Sequence, residues 1–332
     1  MYIGMDIHKR YAQVAVMNET GRIVEETRVD NASLDEFAQR RDGATVALEA
    51  TSNYYHIQDT LSKHLDVHVA DPEELKLIGH SMQKSDQLDA KQLARLARLE
   101  AIPESYVPSQ QLRECRELVR GRHSLIEQRK DTANRVHALL NKQGITRNVK
   151  PLSQDGREAL RDLSVEDPAD GILASYLSVI ETLTEEITEI DQKIEEKASS
   201  IDAVQRLMTI PGVAAYSALT IYAERGEVDR FDSEKEAVSY AGLDPVIRES
   251  GDSRKEGGIS KQGSAHLRWV LVQCTMSAVH TVGDEYLSRF FNRLDKRKHS
   301  MVARVATARK LLVSIYHMLD RQEVYDPPGV SA

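Results

Sequence analysis

The sequence predicts an α/β region followed by helical regions, and three observations carry that reading. Short apolar runs alternate with helical patterns over the first hundred residues. Two long stretches in the middle repeat apolar residues at steps of three and four. The last third sets helical patterns around a Gly/Ser-rich, charged stretch. The 332 residues, 41% hydrophobic and 29% charged, suffice for more than one packed domain and exclude a disordered tail. No apolar run approaches the roughly 20 residues that a membrane helix needs. The opening MYIGMDIHKR has an aspartate inside its first apolar stretch, so no secretory signal is expected. The two cysteines, Cys115 and Cys274, lie far apart and outside any Cys-x-x-Cys, which disfavours a disulfide framework and a structural zinc site. A reducing cytoplasm is the expected compartment.

The elements follow in order. YIGMDI is an apolar run ending at Asp6, and YAQVAVM is a second. Asn18-Glu19-Thr20-Gly21 then turns the chain into RIVEETRV, a strand–hairpin–strand signal. SLDEFAQRR reads as a helix with Ser33 as its N-cap. TVALEA is a strand that carries Glu49 at its end, a helical pattern covers about Tyr54 to His64, and DVHVA is a further strand. Asp71-Pro72 opens a helical stretch that carries KSDQLDAKQLARLARLE. Three antiparallel strands followed by helix–strand alternation is the order expected of a ribonuclease H-like domain, although composition alone does not separate it from other α/β folds.

The middle is helical. Leu112, Cys115, Val119, Arg122, Ile126, Arg129, Ala133, Val136 and Leu140 form one heptad-like seam, and Leu173, Tyr176, Ile180, Leu183, Ile187, Ile190 and Ile194 form another. An antiparallel helical hairpin of coiled-coil type is expected, serving as an arm, a dimerisation element or a pair within one domain. In the last third, Ile210-Pro211-Gly212-Val213 lies between helical patterns, like a helix–hairpin–helix turn whose backbone N–H groups suit a phosphate. A Gly/Ser/charged loop of about fifteen residues and an apolar helix follow. The expected division is 1–108, 109–200 and 201–325.

Net charge is -8, from 44 basic and 52 acidic residues, which argues mildly against nucleic acid. The charge is segregated, however. A basic run spans Arg113 to Lys150, with Arg122 and Arg129 on its seam; another spans Arg293 to Lys310; a third brackets the glycine-rich loop with Arg248, Arg254, Lys255, Lys261 and Arg268. Each run is as readily a solvated helix face as a phosphate-binding surface. The seam arginines face either RNA phosphates or acids of the other helix.

Four acids invite chemistry. Asp6 and Glu49 end strands, and Asp86 and Asp89, three apart on a helix, share one face. Such acids singly are most often turn formers or surface groups. As a set they offer the hard oxygen ligands that magnesium takes together with water and substrate phosphate, and a two-ion arrangement would serve phosphoryl transfer. Lys84 and Ser85 precede the helical pair, either to position phosphate or to begin the helix.

At these residues the chain resembles a known family. Gly4-Met5-Asp6-Ile7-His8-Lys9, Glu49-Ala50-Thr51 and Lys84-Ser85-Asp86-Gln87-Leu88-Asp89-Ala90 are similar to the three motifs of DEDD transposases of the insertion sequence 110 family. Ile210-Pro211-Gly212, Tyr240-Ala241-Gly242-Leu243, Pro245, Ser250-Gly251, Gly258-Ile259-Ser260-Lys261, Gly263 and Leu267-Arg268 resemble its C-terminal transposase domain. The order and spacing of these motifs are specific, and the resemblance is nearly full length. It implies a RuvC-like nuclease domain at 1–108 in which Asp6, Glu49, Asp86 and Asp89 hold magnesium, with manganese as a substitute. It implies a helical coiled-coil region at 109–200, and at 201–325 a mainly helical transposase domain whose serine nucleophile carries over onto Ser250. It further implies donor and target DNA as substrates, a structured bridge RNA as guide, a dimer or tetramer with a composite active site, and a prokaryotic cytoplasm with association to the nucleoid. One departure concerns the local turn: Ser52-Asn53 follow Thr51 where family members often carry glycine.

From the residues alone Ser250 does not outrank Ser253, Ser260 or Ser264, and Tyr240 is a further candidate. A serine hydroxyl needs a metal or a base beside it. Two other readings stand next to the recombinase: a RuvC-like nuclease that uses water, which leaves the C-terminal loop without a role, and a non-catalytic nucleic-acid scaffold, which leaves the four acids without one.

Overall fold

A computed structural model describes the chain apart from residues 52, 79–85, 147, 251–252 and 328–332; at 77–78, 86–88, 247–250 and 253–256 only the backbone is described. The chain packs as two compact units, Met1–Val107 and Pro108–Ala332.

The first unit is a mixed five-stranded sheet of order β3-β2-β1-β4-β5. Its strands are β1 (Tyr2–Ile7), β2 (Tyr11–Met17), β3 (Ile23–Asp30), β4 (Thr45–Glu49) and β5 (Asp66–Ala70). β1, β2 and β3 pair antiparallel, while β1–β4 and β4–β5 pair parallel. This is the arrangement expected from the sequence, and it is compatible with a ribonuclease H-like domain. Asn18 makes the β2–β3 turn: its Oδ1 accepts from the Arg22 N–H at 2.9 Å, and its carbonyl accepts from the Gly21 N–H at 3.0 Å. α1 (Leu34–Gln39) and α2 (Tyr54–Leu61) cover one sheet face, where Leu34, Phe37, Ile57 and Leu61 meet Ile3, Met5, Val46 and Leu48. Ser33 precedes α1, but its hydroxyl makes no capping bond. The expected long helix after Asp71 is described as two, α3 (Pro72–Ile78) and α4 (Asp86–Arg98).

α4 covers the opposite sheet face, and there the contact is closest at Gly4. A Cβ at residue 4 would lie 1.9 Å from the Ala90 carbonyl oxygen and 2.4 Å from the Ala94 nitrogen. The helix therefore seats directly on backbone, with Leu93 and Ala97 against Ala47 and Ala70. The end of α4 reaches the β2–β3 turn, where a Cβ on Gly21 would lie 3.3 Å from Arg98 Nε. α4 thus runs antiparallel to β1, with its Asp86 end toward the C-terminal end of that strand.

The second unit is built on an antiparallel pair, α5 (Gln110–Lys142) and α7 (Ala169–Ser199), with α6 (Gln154–Arg161) between them. One half of the pair buries Ala133, Val136 and Leu140 against Leu173, Leu177 and Ile180. The other half, with Cys115, Val119, Ile194 and Ala198, belongs to a core shared with later helices. These are α8 (Asp202–Met208), α9 (Ala215–Arg225), α10 (Glu234–Tyr240), α11 (Ala265–Ser277), α12 (Glu285–Asp295) and α13 (Ser300–Asp320). Both cysteines are buried and free. The Pro-Gly turn between α8 and α9 faces inward: Gly212 has φ +84°, and a Cβ there would lie 2.7 Å from the Ala278 nitrogen. That glycine serves close packing.

The expected fifteen-residue loop is in large part a β-hairpin, which corrects the compositional reading. β6 (Pro245–Ser250) and β7 (Ser253–Ile259) pair antiparallel, with Arg248 opposite Lys255, Glu249 opposite Arg254 and Ser250 opposite Ser253. The glycines and charges that suggest a loop occupy a two-stranded ribbon, which needs no apolar face in order to pair its backbone.

A buried ion pair ties α9 to α5. Glu224, 1% exposed, accepts from Arg120 Nε at 2.7 Å and from Nη2 at 2.9 Å. Burial pushes the Glu224 carboxyl up, but Arg120 and the neighbouring His266 outweigh it and hold the group well below the usual carboxylate range.

Two outcomes are expected. Gly4→Ala forces α4 off the sheet and lowers the stability of the first unit by about 1–3 kcal/mol, the usual cost of overpacking; an unchanged urea midpoint contradicts the packing described. Glu224→Gln lowers stability at pH 7. A carboxyl depressed in the folded state contributes fully above its ordinary value of about 4.5 and loses that contribution as the pH falls below it. The gap between variant and wild type therefore narrows below about pH 4.5, by up to ~1.4 kcal/mol per pH unit. Urea midpoints at pH 7 and pH 3.5 measure this, and a constant gap contradicts it.

Candidate active site

The acids of the first unit gather at one end of its sheet. β1 and β4 pair in parallel register, Met5 with Leu48, so Asp6 and Glu49 are the next residues along the two neighbouring strands. The strands alternate: Met5 and Leu48 are fully buried on the α1–α2 side, and Asp6 and Glu49, half-buried, follow Gly4 and Ala47 on the α4 side. The direction of α4 brings its first turn, Asp86 to Asp89, toward the same end. Asp89 is half-buried; the Asp86 side chain lies outside the described residues, as do Lys84 and Ser85 entirely.

The β1–β2 connection is held beside Asp6. His8 Nε2 lies 3.2 Å from Asp6 Oδ2, and the His8 ring stacks on Tyr11 at 4.6 Å between centroids. The His8 carbonyl accepts from Asn31 Nδ2 at 3.0 Å and from Asn53 Nδ2 at 3.4 Å, while Asn53 Oδ1 accepts from Thr51 Oγ1 at 3.1 Å. Asn53, which departs from the family pattern, thus links the segment after Glu49 to the segment after Asp6. His8 and Asn53 lie in or beside the motif segments with no role legible from sequence, and Asn31 lies outside every motif, directly after β3. Among the described residues, which do not include the Asp86 side chain, no three metal-binding side chains converge closely enough to hold an ion. The donor set of Asp6, Glu49 and Asp89 is wholly carboxylate, which fits a hard divalent cation.

In the second unit, Ser250 ends β6 directly across from Ser253. Their side chains, and those of Arg248, Arg254 and Lys255, lie outside the described residues, as does Gly251. Other candidates have internal partners. Ser260 Oγ donates to Asp244 Oδ1 at 2.8 Å, Ser264 Oγ caps α11 by accepting from the Leu267 N–H at 3.1 Å, and Tyr240 Oη donates to the Glu224 carbonyl at 3.3 Å. Lys261 is exposed at φ +59°. Arg268 clamps the base of the hairpin, its Nη1 donating to the carbonyls of Ala241 at 3.1 Å and Gly263 at 3.3 Å.

The seam arginines reach across to α7. Arg122 forks onto Asp191, with Nη2 to Oδ2 at 3.1 Å and a short Nε contact to Oδ1, and its guanidinium lies 4.1 Å from the Tyr216 ring centroid. Arg129 Nη1 donates to Thr184 Oγ1 at 3.3 Å. Of the two sequence readings, pairing with the other helix is what the structure displays for Arg122. Among the described residues no helix is long and apolar enough to cross a membrane.

Comparison with known proteins gives two family matches. A DEDD transposase model of IS110 type matches residues 3–144, and the Transposase IS116/IS110/IS902 family model matches residues 204–291. The chain is 25% identical to the transposase for insertion sequence element IS1111A of Coxiella burnetii, covering 97% of this chain and 90% of the relative. It is 24% identical to a probable family 20 transposase of Pseudomonas aeruginosa, covering 98% of each chain. It is 25% identical to the transposase for insertion sequence element IS1328 of Yersinia enterocolitica, covering 93% of each. Strand-end acids matched by one model, a C-terminal region matched by the other and relatives aligned over nearly the whole length together establish that the chain belongs to the IS110 family of DNA transposases.

Proposed function

We propose that this transposase cuts and rejoins DNA through a covalent serine phosphoester, with Ser250 as nucleophile and Asp6, Glu49, Asp86 and Asp89 as a carboxylate cluster for magnesium or manganese. The observation that carries the carboxylate part is the convergence of Asp6, Glu49 and the first turn of α4 on one end of the sheet. A divalent ion held there supplies charge neutralisation at the scissile phosphate. The serine part is supported by the position of Ser250 in the family's Ser-Gly motif and by the internal bonds that occupy Ser260, Ser264 and Tyr240. Ser253, across the ribbon, is the remaining rival.

In this reading Ser250 Oγ attacks phosphorus and loses its proton. A P–O bond to a deoxyribose oxygen breaks, and that oxygen leaves as a hydroxyl with a proton. The phosphoester conserves the bond energy, so a DNA hydroxyl reverses the step in a new pairing without an external energy source. Arg248, Arg254, Lys255 and Lys261 neutralise phosphate charge around the hairpin. A structured RNA encoded beside the gene supplies sequence recognition by pairing, and the protein reads backbone and shape. Acids and serine meet in an oligomer. The family's resemblance supports these last two elements.

The test is a denaturing gel of purified protein with magnesium, labelled donor and target DNA, and RNA transcribed from the gene's flanks. An RNA-dependent, protease-sensitive shift of labelled DNA is expected, and nicked DNA without an adduct contradicts the serine mechanism. Ser250→Ala is expected to abolish the adduct while RNA binding persists, and Ser253→Ala to retain it; the reverse pattern transfers the role to Ser253. Asp6→Asn and Glu49→Gln are each expected to slow cleavage about a hundredfold or more, the effect of losing several kcal/mol of charge stabilisation. Full activity of both variants overturns the carboxylate assignment.

A further inference from the structure

The chain's one tryptophan, Trp269, is 44% exposed on α11. A tryptophan in a closed core is largely buried. This one belongs to a three-ring cluster, with the His123 centroid at 5.4 Å and the His266 centroid at 6.0 Å, and the two histidines 4.5 Å apart and tilted by 30°. The cluster is fixed from beneath. His266 Nε2 bonds Tyr216 Oη at 2.8 Å, and His266 Nδ1 lies 3.8 Å from Oε1 of the buried Glu224. Arg120 completes that anchor. The rings are therefore ordered before any ligand arrives, which lowers the cost of binding.

The surroundings select the ligand. Arg120, His123, Glu127 and Lys130 follow steps of three and four along one face of α5; Arg120 is paired with Glu224 and Lys130 with Glu127, so this face carries both signs of charge. Burial, the largest cause, pushes the His123 pKa down against the opposing charge of Glu127. An exposed aromatic step suits a flat π-system such as a nucleobase.

We propose that Trp269, with His123 and His266, is a stacking platform for an unpaired nucleobase of single-stranded nucleic acid bound by the second unit. The inference rests on the reading that the chain acts on nucleic acid, and not on the serine or the metal. The platform holds one base by its face, without regard to sequence.

Because Trp269 is the one tryptophan, its fluorescence reports this site alone. The experiment titrates the full chain in EDTA with end-labelled oligonucleotides, reading label anisotropy for binding and tryptophan emission for stacking. Four ligands are used: a DNA strand, its RNA counterpart, the blunt DNA duplex, and the DNA strand with abasic sites. At least one intact single strand is expected to quench the emission, and which one does identifies the source of the base. Duplex and abasic strand are expected to bind without comparable quenching. Trp269→Ala is expected to weaken binding of that strand about tenfold, the effect of one lost base–aromatic stack, leaving duplex binding unchanged; Trp269→Phe restores most of the loss. Equal quenching by duplex or abasic strand overturns the proposal, as does unchanged affinity of Trp269→Ala. Binding by anisotropy without any change in emission overturns the platform alone. Emission that shifts with protein concentration and ignores oligonucleotides means that a second copy covers the rings, and also overturns it. Absence of binding to every ligand overturns both the platform and the reading beneath it.

Discussion

The seat of α4 on β1 is the constraint on which the first unit depends. The Ala90 carbonyl occupies the space where any side chain at residue 4 would begin. Only glycine permits that approach, and Ala90, Ala94 and Ala97 keep the helix side of the contact equally small. The Lys91–Glu26 ion pair at 2.9 Å ties the same helix to β3. This close seat, together with the Lys91–Glu26 pair, brings the first turn of α4 toward the strand end that carries Asp6. The parallel β1–β4 register fixes Glu49 beside Asp6. A carboxylate cluster needs such external restraint, because like charges at short range repel and disperse unless the backbone holds them together.

The second unit meets a different constraint. Its long helices carry charge on faces that also pack. Arg122, Arg116 and Arg120 all sit in the half of α5 that joins the shared core. Arg122 is matched by Asp191, Arg116 by the Ala223 carbonyl at 2.8 Å, and Arg120 by Glu224. Around the hairpin, Gly242 and Gly263 at positive φ pack against the carbonyls of Gln262 and Tyr240, and Arg268 donates to the neighbouring carbonyls of Ala241 and Gly263.

Much of the first unit was legible because its signals are local. Apolar runs ended by Asp6 and Glu49, and the Asn18–Gly21 turn, each state their own structure. The position of α4 was legible only as a helix: that Gly4 makes room for it is a contact between residues some ninety positions apart, and period or propensity does not encode it. The hairpin at 245–259 was read as a loop because glycine and charge suppress a strand signal, although Gly251-Asp252 between two short extended runs is itself a hairpin cue. The seam arginines left two readings open because a sequence does not reveal that Asp191 lies opposite Arg122. The Trp269 cluster was not legible at all, since it assembles rings from α5 and α11. The acids and Ser250 are candidates through their motif context, the Ser-Gly pair in the case of Ser250, and not through geometry.

The account stands most directly on which atom carries the DNA. Protein from a rejoining reaction, trapped by denaturation and digested with nuclease and protease, yields a peptide bearing a nucleotide. Cleavage after Arg248 and Arg254 releases residues 249–254, which contain both Ser250 and Ser253, so fragmentation within the peptide must separate them. The account expects the nucleotide mass on Ser250. A nucleotide on Ser253, Tyr240 or another residue contradicts it, as does a rejoining reaction that never yields a modified peptide.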